Sequence, residues 1–400
     1  MNNGYLEVSV YSNSISQPIE NAKVTVNNNT YLTNNLGKTK KIELPTNPIE
    51  NTQSPNQPNP IKTYNIEISA IGMTTKIINN VEIFPNIISF QEVILNQTDS
   101  LSEKKEEITI QPITLSGNYS PKFNDIETST NKLVLPEVII PEYIIIHDGN
   151  PQSNSPQYIV TFSDYIKNVA SSEIYPTWPK ETLKANILAI ISFTLNRIYT
   201  EWYQSKGYNF TITSVTAYDQ KYTKDRTIFS TISETTDEVL PNYIKRENKE
   251  EPLLAQYCDG DKLKNKGWLW QWGSYDLGKN NKSAEQILKY YYGNNLIIKK
   301  AKFQEGLPTS YPGYDLKLGS CGNEVKKIQN ELNIIRGNYP GLIQITNPNG
   351  IFDKQTEESI KFFQKTFNLK VTGIINYASW YKISYLYLAV QRMIFGVYDR

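Results

Sequence analysis

The apolar residues of this chain change period along its length, and that change limits what each part can become. Tyr5-Leu6-Glu7-Val8-Ser9-Val10 alternates with period two, and Ala22-Lys23-Val24-Thr25-Val26 repeats the pattern. Such alternation sends one set of side chains to a buried face and the other to water, which predicts strands. Asn27-Asn28-Asn29 and Asn34-Asn35-Leu36-Gly37 supply turn chemistry. Strands resume at Tyr64-Asn65-Ile66-Glu67-Ile68 and Val81-Glu82-Ile83, while Pro45 to Pro60, rich in Pro, Asn and Gln, predicts a loop too polar to bury. Strands with one apolar face need a second sheet to cover it, so residues 1–98 are expected to form a small β-sandwich.

Beyond residue 98 the pattern breaks. Leu101-Ser102-Glu103-Lys104-Lys105-Glu106-Glu107 is a charge run and Ser116 to Asp125 has little apolar content, so 99–140 is expected to be a protease-accessible linker. A central region, 141–305, opens with the strand Tyr143-Ile144-Ile145-Ile146-His147. From about Pro179 to Gln204 the period becomes helical: Leu183, Ile187, Ile190, Ile191, Leu195, Ile198 and Trp202 recur at three- and four-residue steps. A second helix is expected from Ser283 to Tyr291. Residues 312–400 carry Val325, Ile328, Leu332 and Ile335 on one helix and Ile360, Phe363 and Phe367 on another, separated by the turn Pro348-Asn349-Gly350. At 400 residues, the chain is expected to be a multidomain α+β protein of two to four domains.

Scarce residues exclude the most chemistry. There is one histidine, His147, and two cysteines, Cys258 and Cys321. Zinc hydrolases need two or three His ligands, so no metal and no other cofactor is expected. A Ser-His or Cys-His nucleophile would have to use His147. Carboxylate acid–base chemistry remains easy to build. Basic and acidic residues nearly cancel, 41 against 40, which argues against nucleic-acid or anionic-membrane partners. The opening Met1-Asn2-Asn3-Gly4-Tyr5 lacks the pattern of a secretion signal, so export by the usual route is not expected.

Three stretches resemble known families. Pro18-Ile19, Ala22-Lys23-Val24, Gly37 and Ala70-Ile71-Gly72-Met73 resemble the carboxypeptidase-regulatory-like β-sandwich, which implies a fold and no chemistry. Leu318-Gly319, Val325 to Leu332, Asn349-Gly350-Ile351-Phe352-Asp353, Ile360 to Gln364 and Gly373-Ile374-Ile375 resemble the three-helix peptidoglycan-binding domain of wall lytic enzymes. Val169-Ala170-Ser171-Ser172-Glu173-Ile174-Tyr175-Pro176-Thr177-Trp178, Thr216-Ala217-Tyr218-Asp219-Gln220-Lys221-Tyr222, Ala255 to Gly260, and Trp270-Gln271-Trp272-Gly273 with Gln286 to Gly293 look like successive blocks of the SpoIID-type catalytic domain. The order of regions resembles the spore cortex-lytic enzymes of the SleC type.

That resemblance implies a lytic transglycosylase that cleaves the MurNAc–GlcNAc bond and leaves 1,6-anhydromuramic ends. Glu173 is implied as its acid and base. The aromatic setting before Trp178 is expected to raise its pKa. Tyr218, Asp219, Gln220, Gln271 and Trp272 are expected to line the glycan groove. Peptidoglycan glycan strands are the implied partner. The sandwich and linker would be a pro-region, with an activating protease as second partner, and the expected location is the spore cortex or the cell wall. Two features depart from the pattern. Tyr218 stands near a position where zinc-dependent relatives have His, and Lys264-Asn265-Lys266-Gly267-Trp268 occupies a stretch where relatives carry a second Cys. Three rivals therefore stay open: a non-catalytic wall-binding or scaffold protein, a phage- or bacteriocin-associated lysin, and a Cys258–His147 thiol pair.

Overall fold

The structure, a computed structural model, describes residues 2–12, 17–55, 57, 61–98, 105–115, 137–303 except 201, 204, 205, 207 and 209, 314–376, and 379, 380, 382, 383, 386, 387 and 390. The first region is a two-sheet sandwich. Its strands are β1 (Asn2–Ser12), β2 (Lys23–Val26), β3 (Asn29–Leu32), β4 (Ile42–Thr46), β5 (Lys62–Ser69), β6 (Thr75–Ile83), β7 (Ile88–Leu95) and β8 (Lys105–Thr109). One sheet runs β4-β1-β7 and the other β3-β2-β5-β6-β8. The period-two reading of β1 is reproduced, since Leu6, Val8 and Val10 are fully buried against Val24, Val26, Ile66 and Ile68.

Two polar stretches are more ordered than their composition suggests. Within the expected loop 45–60, Ile49–Thr52 forms a 3-10 turn and Thr52 is buried. It is satisfied there because its carbonyl accepts the Trp178 indole N–H at 2.9 Å and its hydroxyl meets that of Thr177 at 2.6 Å. Hydrogen bonding thus removes the penalty that made burial look costly. Lys105-Glu106-Glu107, read as linker, begins β8, which pairs in parallel with β6 as an edge strand. Charged side chains on an edge strand keep it from pairing further. Ile110 and Ile113 follow it into buried positions. The remainder of the expected linker, Ser116 to Asp125 included, lies outside the described residues, as does Leu101 to Lys104.

The central region mixes short strands with five helices. They are β9 (Ile139–Ile140), β10 (Tyr143–His147), β11 (Gln157–Thr161), α1 (Phe162–Glu173), α2 (Lys180–Tyr199), β12 (Ile212–Thr213), β13 (Ile228–Phe229), α3 (Ser230–Val239), β14 (Asn242–Arg246), β15 (Tyr257–Cys258), β16 (Leu269–Trp270), α4 (Gln271–Lys279), α5 (Ala284–Tyr292), β17 (Leu296–Lys300) and β18 (Lys302–Phe303). Thr161 caps α1 through the Asp164 N–H, and Ser283 with Gln286 forms a capping box on α5. Helix α2 is buried almost all round, so its polar residues find partners inside: Asn186 donates to Ser274 Oγ at 2.8 Å and Thr182 to the Ser274 carbonyl at 3.1 Å.

The sandwich does not stand apart from this region. Strand β13 joins the first sheet beside β7, with Ile228 opposite Phe90 and Phe229 opposite Ser89. Phe84 of the sandwich packs edge-on against Phe229 at 5.0 Å, and Ile87 and Ile113 belong to the same apolar core as α1 and α2.

In the C-terminal region α6 (Asn323–Asn338) and α7 (Lys354–Thr366) fall where their periodicity predicts. Asp353 caps α7 by accepting the Thr356 N–H at 2.8 Å. Gly350, at φ +82°, is needed for the approach of its backbone to Gly322, because a Cβ there would stand 2.8 Å from the Gly322 carbonyl oxygen. The described residues from 379 to 390 have helical backbone, and Trp380 is fully buried with Phe352 and Phe363. Among the described residues no helix is long and apolar enough to cross a membrane.

Candidate active site

Glu173 is the last residue of α1 and is completely buried. Its carboxylate is held from two sides. Oε1 accepts the Lys221 backbone N–H at 2.8 Å, and Oε2 accepts the Tyr257 hydroxyl at 2.6 Å. The Gln271 side-chain amide also donates to the Glu173 carbonyl oxygen at 3.3 Å. Two separated sequence blocks therefore converge on the Glu173 carboxyl group, and a third reaches its backbone carbonyl. Just beyond Glu173 in the chain, Tyr175 and Trp178 join Trp272 and Tyr275 in a contiguous ring cluster. The Trp178–Trp272 centroids are 5.1 Å apart and the Tyr175–Trp272 centroids 5.9 Å. A carboxyl group held this way is oriented to a fixed direction, which acid–base catalysis requires.

The remaining sequence-predicted residues divide between partly exposed and fully buried positions. Tyr218 and Trp272 are half-buried and keep exposed surface. Asp219, by contrast, has none. Its Oδ1 accepts Arg197 Nε at 2.8 Å, and its Oδ2 accepts Tyr203 Oη at 2.5 Å, Thr213 Oγ1 at 2.7 Å and Thr213 N at 3.0 Å. Gln220 is likewise fully buried, accepting Tyr165 Oη at 3.1 Å and Thr194 Oγ1 at 2.8 Å. Both tie α2 to the loop that carries Lys221, so they position that residue's N–H under Glu173. Gln271 is also fully buried. His147 stacks on Phe210 at 4.7 Å, with Nε2 facing the Asn150 carbonyl oxygen at 2.9 Å and Ser153 Oγ at 3.2 Å. Burial pushes the Cys258 thiol up, which is unfavourable for a nucleophile.

Sequence reasoning missed Tyr257 and Lys221 as partners of Glu173. Both lie inside the blocks quoted for the family resemblance, but nothing in local spacing indicates which block residue reaches the carboxylate. It also missed what lies against the end of α1. Arg226, fully buried, donates Nε to the Ser171 carbonyl at 2.9 Å, Nη1 to the Gln111 carbonyl at 2.7 Å and Nη2 to Glu82 Oε2. Glu82 Oε1 takes the Ile113 N–H at 2.9 Å. Lys221 Nζ donates to the Pro112 carbonyl at 2.7 Å, and the Thr114 N–H to the Ser172 carbonyl at 3.0 Å. Burial pushes the Lys221 ammonium below its usual range, with Arg226 adding to the shift. Residues 111–114 are thereby fastened across the end of α1 beside Glu173.

Comparison with known proteins agrees with two of these regions. Residues 155–242 match the family model described as stage II sporulation protein, SpoIID, and residues 321–383 match the putative peptidoglycan binding domain. They mark a protein that binds or degrades cell-wall peptidoglycan. In carrying both, the chain is similar to spore cortex-lytic enzymes. The crystal structure of the SleB N-terminal domain aligns at 22% identity over 20% of this chain and 97% of that one, with a TM-score of 0.16. A putative membrane-associated protein of unknown function from Bacteroides fragilis aligns at 13% identity over 28% of this chain and 32% of that one, with a TM-score of 0.17. A search of curated proteins gives no match.

Proposed function

We propose that this chain is a lytic transglycosylase of peptidoglycan, with Glu173 as its acid and then its base. The observation that carries the reading is the two-sided hold on the Glu173 carboxylate by the Lys221 N–H and the Tyr257 hydroxyl. Ordinary glycosidases use two carboxyl groups, one of them for water or for attack on the sugar. Muramic acid carries its own nucleophile, the C6 hydroxyl. Protonated Glu173 would give its proton to the glycosidic oxygen as the C1–O bond breaks. Its carboxylate would then take the C6 hydroxyl proton as O6 bonds to C1. The products are a free 4-hydroxyl on one fragment and a 1,6-anhydromuramic end on the other, with no water consumed. Holding the reacting groups together supplies the advantage of an intramolecular attack.

Tyr218 and Trp272 are proposed to line the groove, Trp272 offering a ring face to a sugar. Asp219, Gln220 and Gln271 support it from within. Spore cortex is the proposed target, and the C-terminal region is proposed to anchor the chain on the glycan. The sandwich and the strap at 111–114 are proposed as a pro-region, because together they close over the end of α1. A protease cut between 115 and 137, followed by release of the sandwich and strap, would then open the site.

A second reading, a wall-binding protein without activity, is favoured by one observation: Glu173 has no exposed surface in the full chain. Mass spectrometry of soluble muropeptides separates the two. Purified cortex is incubated with the full chain, with a chain starting at Val138, and with that shorter chain carrying Glu173→Gln. The expected result is anhydro-muropeptides from the shorter chain alone, abolished by the substitution. Products with ordinary reducing muramic acid sink the transglycosylase assignment, and wall binding with no release by any form leaves the second reading.

A further inference from the structure

The stretch from Asp261 to Trp268, which departs from the family pattern, borders an aromatic surface that the Glu173 chemistry does not use. Trp270 and Tyr291 are half-buried, with centroids 5.9 Å apart, and Tyr290 stands edge-on to Tyr291 at 5.0 Å. Tyr290 is 70% exposed, an unusual state for so large a ring.

The platform is held rigid from behind. Trp270 Nε1 donates to the Asn265 carbonyl at 2.9 Å, so the indole edge is fixed to the loop. Gly260, at φ +77°, lets the backbone pass where a Cβ would stand 2.6 Å from Trp270 Cβ. A Cβ on Gly273 would stand 2.1 Å from the Tyr291 hydroxyl oxygen, so glycine there leaves the room in which Tyr291 lies beside Trp270. Asp259 accepts the Asp261 and Leu263 N–H groups at 3.1 and 2.9 Å and shapes the turn.

The exposed charge of the 261–268 loop is mostly basic. Within the loop Lys262, Lys264 and Lys266 are exposed beside Asp261, and Lys264 Nζ lies 5.8 Å from the Trp270 ring centre. Two acids flank the tyrosines from the helices: Glu285 on α5, paired with Lys289 at 2.6 Å, and exposed Asp276 on α4, whose charge acts on Tyr291. Flat ring faces suit the C–H faces of pyranose sugars, and flexible lysines at the rim suit carboxylates hung from them. Strand β16 ties the platform to the strand that carries Tyr257. Trp270 pairs with Cys258, and the residue before Cys258 is Tyr257, whose hydroxyl holds Glu173.

We propose that Trp270, Tyr290 and Tyr291, rimmed by Lys262, Lys264 and Lys266, form a second binding site for a glycan that carries carboxylates, such as the lactyl groups of muramic acid. Only the choice of ligand rests on the reading of the chain as a wall-acting protein. The site needs neither a functional Glu173 nor removal of the sandwich, since none of these residues is among those fastened by Gln111 to Thr114.

Hydrogen–deuterium exchange of the full chain tests it with two soluble probes of equal length. One is a peptide-free GlcNAc–MurNAc oligomer and the other a neutral GlcNAc oligomer. The muramic oligomer is expected to slow exchange in peptides spanning 260–292, and the neutral one at least about fivefold more weakly at matched concentration. Tyr290→Ala and a joint Lys262→Ser, Lys264→Ser, Lys266→Ser variant are each expected to weaken that protection about tenfold while keeping the parent's thermal transition. Both change exposed side chains, and protection at 321–383 serves as the internal control for a folded, ligand-competent chain. Protection confined to 321–383, or equal protection at 260–292 by both probes, overturns the proposal. Protection at 260–292 without anhydro products from any form of the chain sinks the transglycosylase reading and leaves this site standing.

Discussion

The Tyr257 hydroxyl reaches Glu173 Oε2 at 2.6 Å from a strand 84 residues further along the chain. A hydroxyl donor at that distance fixes which carboxyl oxygen faces away from it. Tyr257 is itself buried, so it has little freedom to leave.

Tyr257→Phe removes that one bond and keeps the ring. A hydrogen bond to a charged group is worth about 1.5–3 kcal/mol, so the variant is expected to lose about that much stability in denaturant unfolding. In the chain starting at Val138 the release of anhydro-muropeptides is expected to fall at least about tenfold, the equivalent of about 1.4 kcal/mol in the barrier. An unchanged rate would show that the tyrosine is structural packing only.

Glu82→Gln tests the ion pair that joins the sandwich to the central region. Glu82 and Arg226 are both buried to within 1–4% exposure, and removing one charge strands the other. Breaking a buried pair in this way costs about 3–5 kcal/mol, whereas replacing both members by apolar groups is often neutral. Glu82→Gln is therefore expected to lower the unfolding midpoint strongly, and Glu82→Leu with Arg226→Met to recover most of the loss. Additive losses in the double variant would show that the two residues act separately.

The contrast between Glu173 and Arg226 shows which parts of this molecule its sequence reveals. Strands β1, β2 and β5 and helices α6 and α7 are legible because one buried face imposes a period on each, and α2, buried almost all round, because its large apolar residues still recur at helical steps. Glu173 is legible because several blocks recur in family order. The meeting of Arg226 with Glu82, 144 residues apart, leaves no local trace, since a lone arginine in a loop reads as solvated. Asp219 shows a subtler miss. Its block was found, but a carboxylate beside a catalytic region suggests substrate contact, whereas here four hydrogen bonds, one of them from Arg197, consume it. Strand β8 was hidden by its charges, because an edge strand keeps polar groups on both sides of its short apolar run.

A pH dependence follows from the contact between the central and C-terminal regions. Burial, reinforced by Glu331, pushes the Glu142 carboxyl up to about 9, while Lys327 acts in the opposite sense. Burial also raises Glu331, which faces Lys327 Nζ at 3.6 Å. A carboxyl group whose pKa is raised in the fold is tolerated there in its neutral form. No penalty exists below the unfolded value of 4.5, the penalty grows as pH rises through the interval, and it is complete above about 9. The chain is therefore expected to unfold more easily at pH 9 than at pH 6, read as a falling denaturant midpoint. Glu142→Gln is expected to flatten that trend, and a parallel slope in parent and variant would place the effect elsewhere.

Cutting the chain is not the same as opening it. The strap and sandwich are held by the β13–β7 pairing, by the Phe84–Phe229 contact and by Arg226, none of which lies in the segment between 115 and 137. A chain cut once in that segment after folding is expected to run as one species in gel filtration at neutral pH, with both fragments in the same peak. It is also expected to release little muropeptide, because Gln111 to Thr114 would still lie against Ser172 and Lys221. Placing Glu82→Gln in the cut chain removes the buried ion pair without touching Glu173. That variant is expected to separate into two peaks and to gain activity as it does. Immediate separation of the parent after cutting would mean that the tether alone keeps the sandwich in place, and activity without separation would mean that the strap does not cover the site.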